Sequence, residues 1–269
     1  MVKEYTQFAG TVPENYEQYL GPLLFEPYAL DIAQRVDNTK AKTVLEIACG
    51  TGRVTHHLVQ VLLPDASLVA TDLNAGMIAV AKQHLQYPNL QFKEADAQQL
   101  PFDDASFDLI VCQFGFMFVP DKQQAFNEAF RVLKTGGKLL FATWDRLEEN
   151  ELTLVVRDTV VKHFNNEAAK FYNVPFSLYD KQNITSLLEK AGFNNIKIEN
   201  VGKQGTHVTA AEAARGLILG TPAFNVISSQ DAAAPAWPVD VVSEALTAVF
   251  GNGIITTELN ALSCEATKQ

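Results

Sequence analysis

The stretch Thr43-Val-Leu-Glu-Ile-Ala-Cys-Gly-Thr-Gly-Arg-Val-Thr55 constrains this chain more than any other, because it passes from an apolar strand through a glycine loop directly into a helix. Residues 43–48 are short and apolar, with β-branched side chains at three positions, the pattern of a strand in the middle of a sheet. One acid, Glu46, interrupts them, so it needs a task or a partner. Gly50 and Gly52 lack Cβ, so the loop can take positive φ and bring its backbone against a ligand. Residues 53–63 then read as a helix.

A lone Gly-x-Gly is weak, and by itself a βα turn that needed glycine explains it better. The third glycine of a dinucleotide-binding fingerprint is absent, with Thr55 in its place. The next strand strengthens the signal: Ser67-Leu-Val-Ala-Thr-Asp72 ends in an acid 20 residues after Gly52. A carboxylate at the end of a second strand is placed to accept both hydroxyls of a ribose. Together the two elements imply a nucleoside ligand.

The rest of the chain repeats the alternation. Strands at 43–48, 68–72, 90–94, 107–112 and 138–143 are separated by helical patterns, as in an open parallel sheet. Phe126, Ala129, Phe130 and Leu133 form one apolar stripe, with Gly136-Gly137 as the expected helix stop, and Ile78, Ala81 and Leu85 form another. Before the first strand, Gly21, Pro22 and Pro27 predict short helical pieces, followed by a stripe of Leu30, Ala33 and Val36. Asp180 reads as an N-cap and Gly192 as the end of its helix, with a sixth strand at 195–201. Thr209-Ala-Ala-Glu212 is a capping box opening a helix to Leu219, and Val239, Val242, Leu246 and Val249 mark a second helix after Pro238. An alanine- and proline-containing loop ending at Trp237 separates them, and residues 254–266 can supply a seventh strand.

Five segments in order resemble the motif series of class I S-adenosylmethionine-dependent methyltransferases: Glu46-Ile-Ala-Cys-Gly-Thr-Gly52, Thr71-Asp-Leu-Asn-Ala-Gly-Met77, Glu94-Ala-Asp-Ala-Gln-Gln-Leu-Pro-Phe102, Phe107-Asp-Leu-Ile-Val-Cys-Gln-Phe114 and Arg131-Val-Leu-Lys-Thr-Gly-Gly-Lys138. The resemblance covers roughly residues 40–145, with small-molecule methyltransferases related to quinone-biosynthesis enzymes as the nearest subgroup; Thr135 stands where many relatives have proline. It implies an α/β Rossmann-like fold with a seven-stranded, mostly parallel sheet of order 3-2-1-4-5-7-6 under a helical cap. The chain is read as one methyltransferase domain over 1–269, with cap segments at 1–40, 145–179 and 209–253.

The resemblance also assigns a cofactor, S-adenosylmethionine, with S-adenosylhomocysteine as product. Asp72 would bind the ribose hydroxyls, Leu73 and Met77 would pack on the adenine, and Asp96 would accept from its amino group beside the Ala97 backbone N–H. Gly50, Gly52 and the Ala48 carbonyl would line the methionine moiety, with Glu46 ordering the loop. Gln113 and Phe114 would face the transferred methyl, while Phe116 and Phe118 are expected only to pack. Tyr16 or Tyr19, of which Tyr19 is preferred, would either cover the methionine end or pack the lid. His56 and His57 are read as surface or packing residues, and no catalytic base is assigned.

Composition narrows the acceptor. A net charge of -10 repels polyanions, which argues against nucleic acid and for a small, partly apolar methyl acceptor taking the group on O, N or C. No apolar run reaches membrane-span length and no signal sequence opens the chain, so a cytoplasmic location is expected. Cys49, Cys112 and Cys264, an odd number without CxxC, suggest neither disulfides nor a metal. Two other readings remain open: a protein that binds S-adenosylmethionine without transferring methyl, and a nicotinamide-dependent oxidoreductase.

Overall fold

The computed structural model describes residues 8, 10–36, 41–164, 169–224, 227 and 237–269. Its strands are β1 (Thr43–Ile47), β2 (Ser67–Asp72), β3 (Leu90–Glu94), β4 (Phe107–Gln113), β5 (Leu133–Trp144), β6 (Asn194–Gly205) and β7 (Thr257–Thr267). They form one sheet of order β3-β2-β1-β4-β5-β7-β6, as the resemblance implied. β1 runs parallel to β2 and β4, and β4 to β5, whereas β7 pairs antiparallel with β5 from Lys138↔Thr267 to Trp144↔Ala261. Among the described residues the α-helices are α1 (Val12–Asn15), α2 (Glu26–Gln34), α3 (Arg53–Val61), α4 (Ala75–His84), α5 (Lys122–Val132), α6 (Glu151–His163), α7 (Lys181–Ala191), α8 (Ala210–Leu219) and α9 (Trp237–Phe250).

The chain divides into two compact units. The sheet unit comprises the described residues of 28–144, 178–201 and 261–269; the helical unit comprises those of 1–27, 145–177 and 202–260. In the sheet unit, Ala29 and Ile32 of α2 and Val54 and Leu58 of α3 bury against Val44, Leu68, Leu109, Val111 and Leu140. Phe126 of α5 packs with Phe116 and Phe141, ring centroids 4.6 and 5.4 Å away. These apolar layers hold the strand ends in fixed positions.

Several boundaries differ from the sequence reading. The proline- and glycine-containing N-terminal stretch does not break into pieces: a π-helical run, Tyr16–Phe25, carries the chain through Gly21 and Pro22, with the Glu26 N–H donating to the Gly21 carbonyl. The wider register relieves the ring clash and absorbs the missing N–H that would break an α-helix. Leu30 leaves its expected stripe and is 43% exposed, because Ala29 and Ile32 are the residues that face the sheet. Helix α5 stops at Val132 rather than at the glycine pair, since Leu133 already pairs with Phe107; Gly136 and Gly137 sit where the register then shifts. β7 begins at Thr257, not Ile254, which forms an isolated bridge with Thr209. Of the stripe expected in α9, Val242 and Leu246 are buried as the spacing predicts, whereas Val249 is 48% exposed. The alanine- and proline-containing loop at 228–236 lies outside the described residues. Among the described residues, no helix is long and apolar enough to cross a membrane.

Candidate cofactor site

The strand–loop–helix junction forms at the carboxyl end of β1. Ala48, Gly50 and Gly52 have φ of 55°, 56° and 89°, three left-handed residues that turn the chain back into α3. The two glycines have different reasons to be there. A Cβ on Gly52 would lie 2.5 Å from Leu85 Cδ1 and 3.2 Å from Ala81 Cβ, so packing against α4 excludes it. A Cβ on Gly50 would meet nothing within 4 Å, which leaves its backbone open to a ligand.

Below the loop, Glu46 is buried and its Oε2 accepts from Thr55 Oγ1 at 2.6 Å. The residue in the third glycine's place is therefore the partner the strand acid required. Burial pushes the Glu46 carboxyl up to about 8; the hydrogen bonds from Thr55 oppose that shift and the neighbouring Asp72 adds to it.

Asp72 closes β2 and reaches back to the loop. Its Oδ2 accepts from the Gly50 N–H at 2.9 Å, while Oδ1 accepts from the Asn74 N–H at 2.8 Å and Asn74 Nδ2 at 3.3 Å. Burial raises its pKa, and the backbone bonds from Asn74 and Gly50 hold that rise back. The two features that suggested a nucleoside are thus physically joined. Beside them Leu73 is 49% exposed, an apolar side chain free to cover a flat ring, whereas Met77 is buried.

After β3, the half-buried Asp96 is held by Gln98, whose N–H donates to Oδ1 at 2.8 Å and whose Nε2 lies 3.2 and 3.3 Å from the two carboxylate oxygens. Ala97 between them is half-buried. β4 ends at the half-buried Gln113. Phe114, at φ 54°, stacks on Trp144 at 4.0 Å with 9° between planes, and Tyr28 meets it edge-on at 5.3 Å. A bulky residue in left-handed backbone is rare, and this stacking holds it in place. A Cβ on Gly115 would come within 2.5 Å of Ala48 Cβ, so the loops after β1 and β4 lie against each other. Phe116–Phe118 form a 3₁₀ turn rather than continuing the strand alternation; Phe116 packs in the core.

Other residues singled out in the sequence have the following surroundings. Tyr19 belongs to the helical unit, where its Cβ would be 2.8 Å from a Cβ on Gly216 of α8. Tyr16 stacks on Phe25 at 4.8 Å in the same unit. His56 is exposed and shares a hydrogen bond with Gln60 at 2.9 Å. Cys49 and Cys112 are buried, which pushes both thiols up, Cys112 to about 12. Among the described residues no three His, Cys, Asp or Glu side chains gather as a metal site.

A nucleoside with an amino-acid tail fits this chemistry: an open glycine backbone, a carboxylate at a strand end and an exposed apolar cover. Sequence reasoning missed Trp144 and Gln98. Gln98 lay inside a quoted motif without a role; Trp144 gave no local signal, since its partner is 30 residues away.

Comparisons with known proteins bear on the family and the fold. A family model described as a methyltransferase domain matches residues 45–141. The ubiquinone/menaquinone biosynthesis C-methyltransferase UbiE of Brucella anthropi is 33% identical over 177 residues, 59% of this chain and 65% of that protein. The chain thus spans slightly less than two thirds of that relative's length. The protein of the same name from Ectopseudomonas mendocina is 31% identical over 173 residues, 59% of this chain and 67% of that one. A solved structure, Haemonchus contortus phosphoethanolamine N-methyltransferase 2 with S-adenosyl-L-methionine, superposes at TM-score 0.64 with 19% identity, covering 99% of this chain and 59% of that chain, and supports the fold. With the motif series, the sheet order and these relatives in agreement, the chain belongs to the class I S-adenosylmethionine-dependent methyltransferase family.

Proposed function

We propose that this protein transfers a methyl group from S-adenosylmethionine to a carbon of a small, electron-rich and partly apolar acceptor. One observation carries the cofactor reading: Asp72 is hydrogen-bonded to the Gly50 N–H at 2.9 Å beside a backbone position open on its Cβ side. That arrangement ties a ribose-binding carboxylate to the loop that would receive the methionine moiety. The carbon acceptor is supported by the C-methyltransferase name of the UbiE relatives, and the small size by the net charge of -10.

When bound, S-adenosylmethionine supplies an electrophilic methyl on a sulfonium. The protein's own work is placement. Asp72 accepts from the ribose hydroxyls, Leu73 covers the adenine with Met77 behind it, and Asp96 and the Ala97 N–H meet the base edge. Gly50, Gly52 and Ala48 line the amino-acid tail, with Glu46 setting the loop from below. Gln113 and Phe114 face the acceptor, Phe114 fixed by its stack on Trp144. Holding the acceptor in line with the reacting bond supplies much of the acceleration in such a displacement.

Thermal unfolding with S-adenosylmethionine, S-adenosylhomocysteine, NADH or no ligand tests the cofactor. The two adenosyl compounds should raise the unfolding temperature and NADH should not. A shift with NADH alone would replace this reading with an oxidoreductase. Binding of the adenosyl compounds without turnover on any quinol or phenol would leave a cofactor-binding protein.

A further inference from the structure

Gln98 has a place in the site that neither the motif resemblance nor the relatives assign. Its side-chain amide is held at both ends. Oε1 accepts from the N–H of Asp121, the N-cap of α5, at 3.1 Å, and Nε2 faces both carboxylate oxygens of Asp96 at 3.2 and 3.3 Å. This pairing fixes the amide's orientation, because the flipped amide would set N–H against N–H and oxygen against carboxylate. The surrounding loop is equally anchored to α5. Gln124 Nε2 donates to the Gln98 carbonyl at 3.3 Å, Glu128 Oε2 accepts from the Leu100 N–H at 2.8 Å, and Arg131 donates to the Leu100 and Phe102 carbonyls at 2.9 and 2.8 Å. A rigid helix thus sets the loop, and one side chain transmits its position to one carboxylate.

We propose that Gln98 is a positioning residue that orients the Asp96 carboxylate toward the amino group of the adenine, and so gives the site its preference for a 6-amino purine. The inference rests on the cofactor reading above. Gln98 touches Asp96 and not the reacting atoms, so its effect falls on base selection rather than on the methyl transfer itself.

The experiment compares calorimetric affinities for S-adenosylhomocysteine and for its analogue carrying hydrogen in place of the 6-amino group. The wild-type chain should prefer the amino compound by about tenfold, the worth of one charge-assisted hydrogen bond. Gln98→Glu, of the same shape, turns a donor into an acceptor facing Asp96. It should weaken S-adenosylhomocysteine by about tenfold and leave the analogue unchanged, which abolishes the preference. A loop that had merely loosened would weaken both ligands alike. A Gln98→Glu protein that keeps the full preference, or a wild type with none, overturns the assignment while leaving the cofactor in place. A wild type that does not bind S-adenosylhomocysteine overturns the cofactor reading and this inference together.

Discussion

Glu46 is a carboxyl whose environment inverts its usual contribution. Its folded pKa, about 8, lies well above the ordinary carboxylate value of roughly 4.3, so between those pH values the fold holds a proton that the unfolded chain has released. The stability this proton linkage supplies is complete below the unfolded pKa and declines as pH rises toward 8, by at most about 1.4 kcal/mol per pH unit. Glu46→Gln keeps the acceptor for Thr55 without the ionisation, so denaturant unfolding at pH 5, 6.5 and 8 should show the wild type losing stability relative to the variant. Parallel curves would mean that Glu46 is ionised in the fold. The glycines permit a second test by the same logic. Gly52→Ala places a methyl on Leu85 and Ala81 at φ 89° and should lose roughly 2–4 kcal/mol of stability. Gly50→Ala meets no neighbour, so it should unfold within about 1–2 kcal/mol of wild type yet bind S-adenosylhomocysteine more than about tenfold more weakly. Equal losses of stability in the two variants would contradict the open cradle. At this scale the sequence was half legible: Glu46 and Thr55 each stood out as a misfit, but only the packing of α3 on β1 showed that each resolves the other.

Helices whose ends carry their own chemistry matched the sequence reading closely. Asp180 accepts from the Gln182 and Asn183 N–H groups and Gly192 ends α7 at φ 104°, while Thr209 and Glu212 form the reciprocal capping box of α8. These bonds join residues two or three apart, so local sequence suffices to specify them. Thr209→Ala should therefore cost about 1 kcal/mol in denaturant unfolding and Thr209→Ser much less; equal effects would place the cap's contribution elsewhere. Elements whose limits depend on a partner were misread. β5 starts at Leu133 because Phe107 pairs with it, and the π-helical Tyr16–Phe25 is seated by residues far along the chain. A Cβ on Gly205 would meet the Leu23 carbonyl at 2.7 Å, and one on Gly216 would meet Leu20 Cδ2 at 2.8 Å. No local pattern in residues 16–25 announces those neighbours.

For the whole molecule, a ligand that binds only the fold adds about 2.7 kcal/mol at a hundred times its Kd, a few degrees or more in unfolding temperature for a chain of this size. With two compact units, that stabilisation should be read from the sheet unit, whose backbone carries Gly50, Asp72 and Asp96. The sequence by itself determined the order of strands and helices and the motif series at their ends. Alternation of apolar residues, turn residues and caps acts over a few positions, and that short reach is enough to lay out a parallel sheet with a glycine loop after its first strand. Only the tertiary structure decided that Thr55 meets Glu46, that Trp144 stacks on the left-handed Phe114 and that Gln98 bridges Asp121 and Asp96. Each of these depends on side chains brought together by packed layers, and the free energy of such a contact is set by burial and geometry that no local pattern encodes.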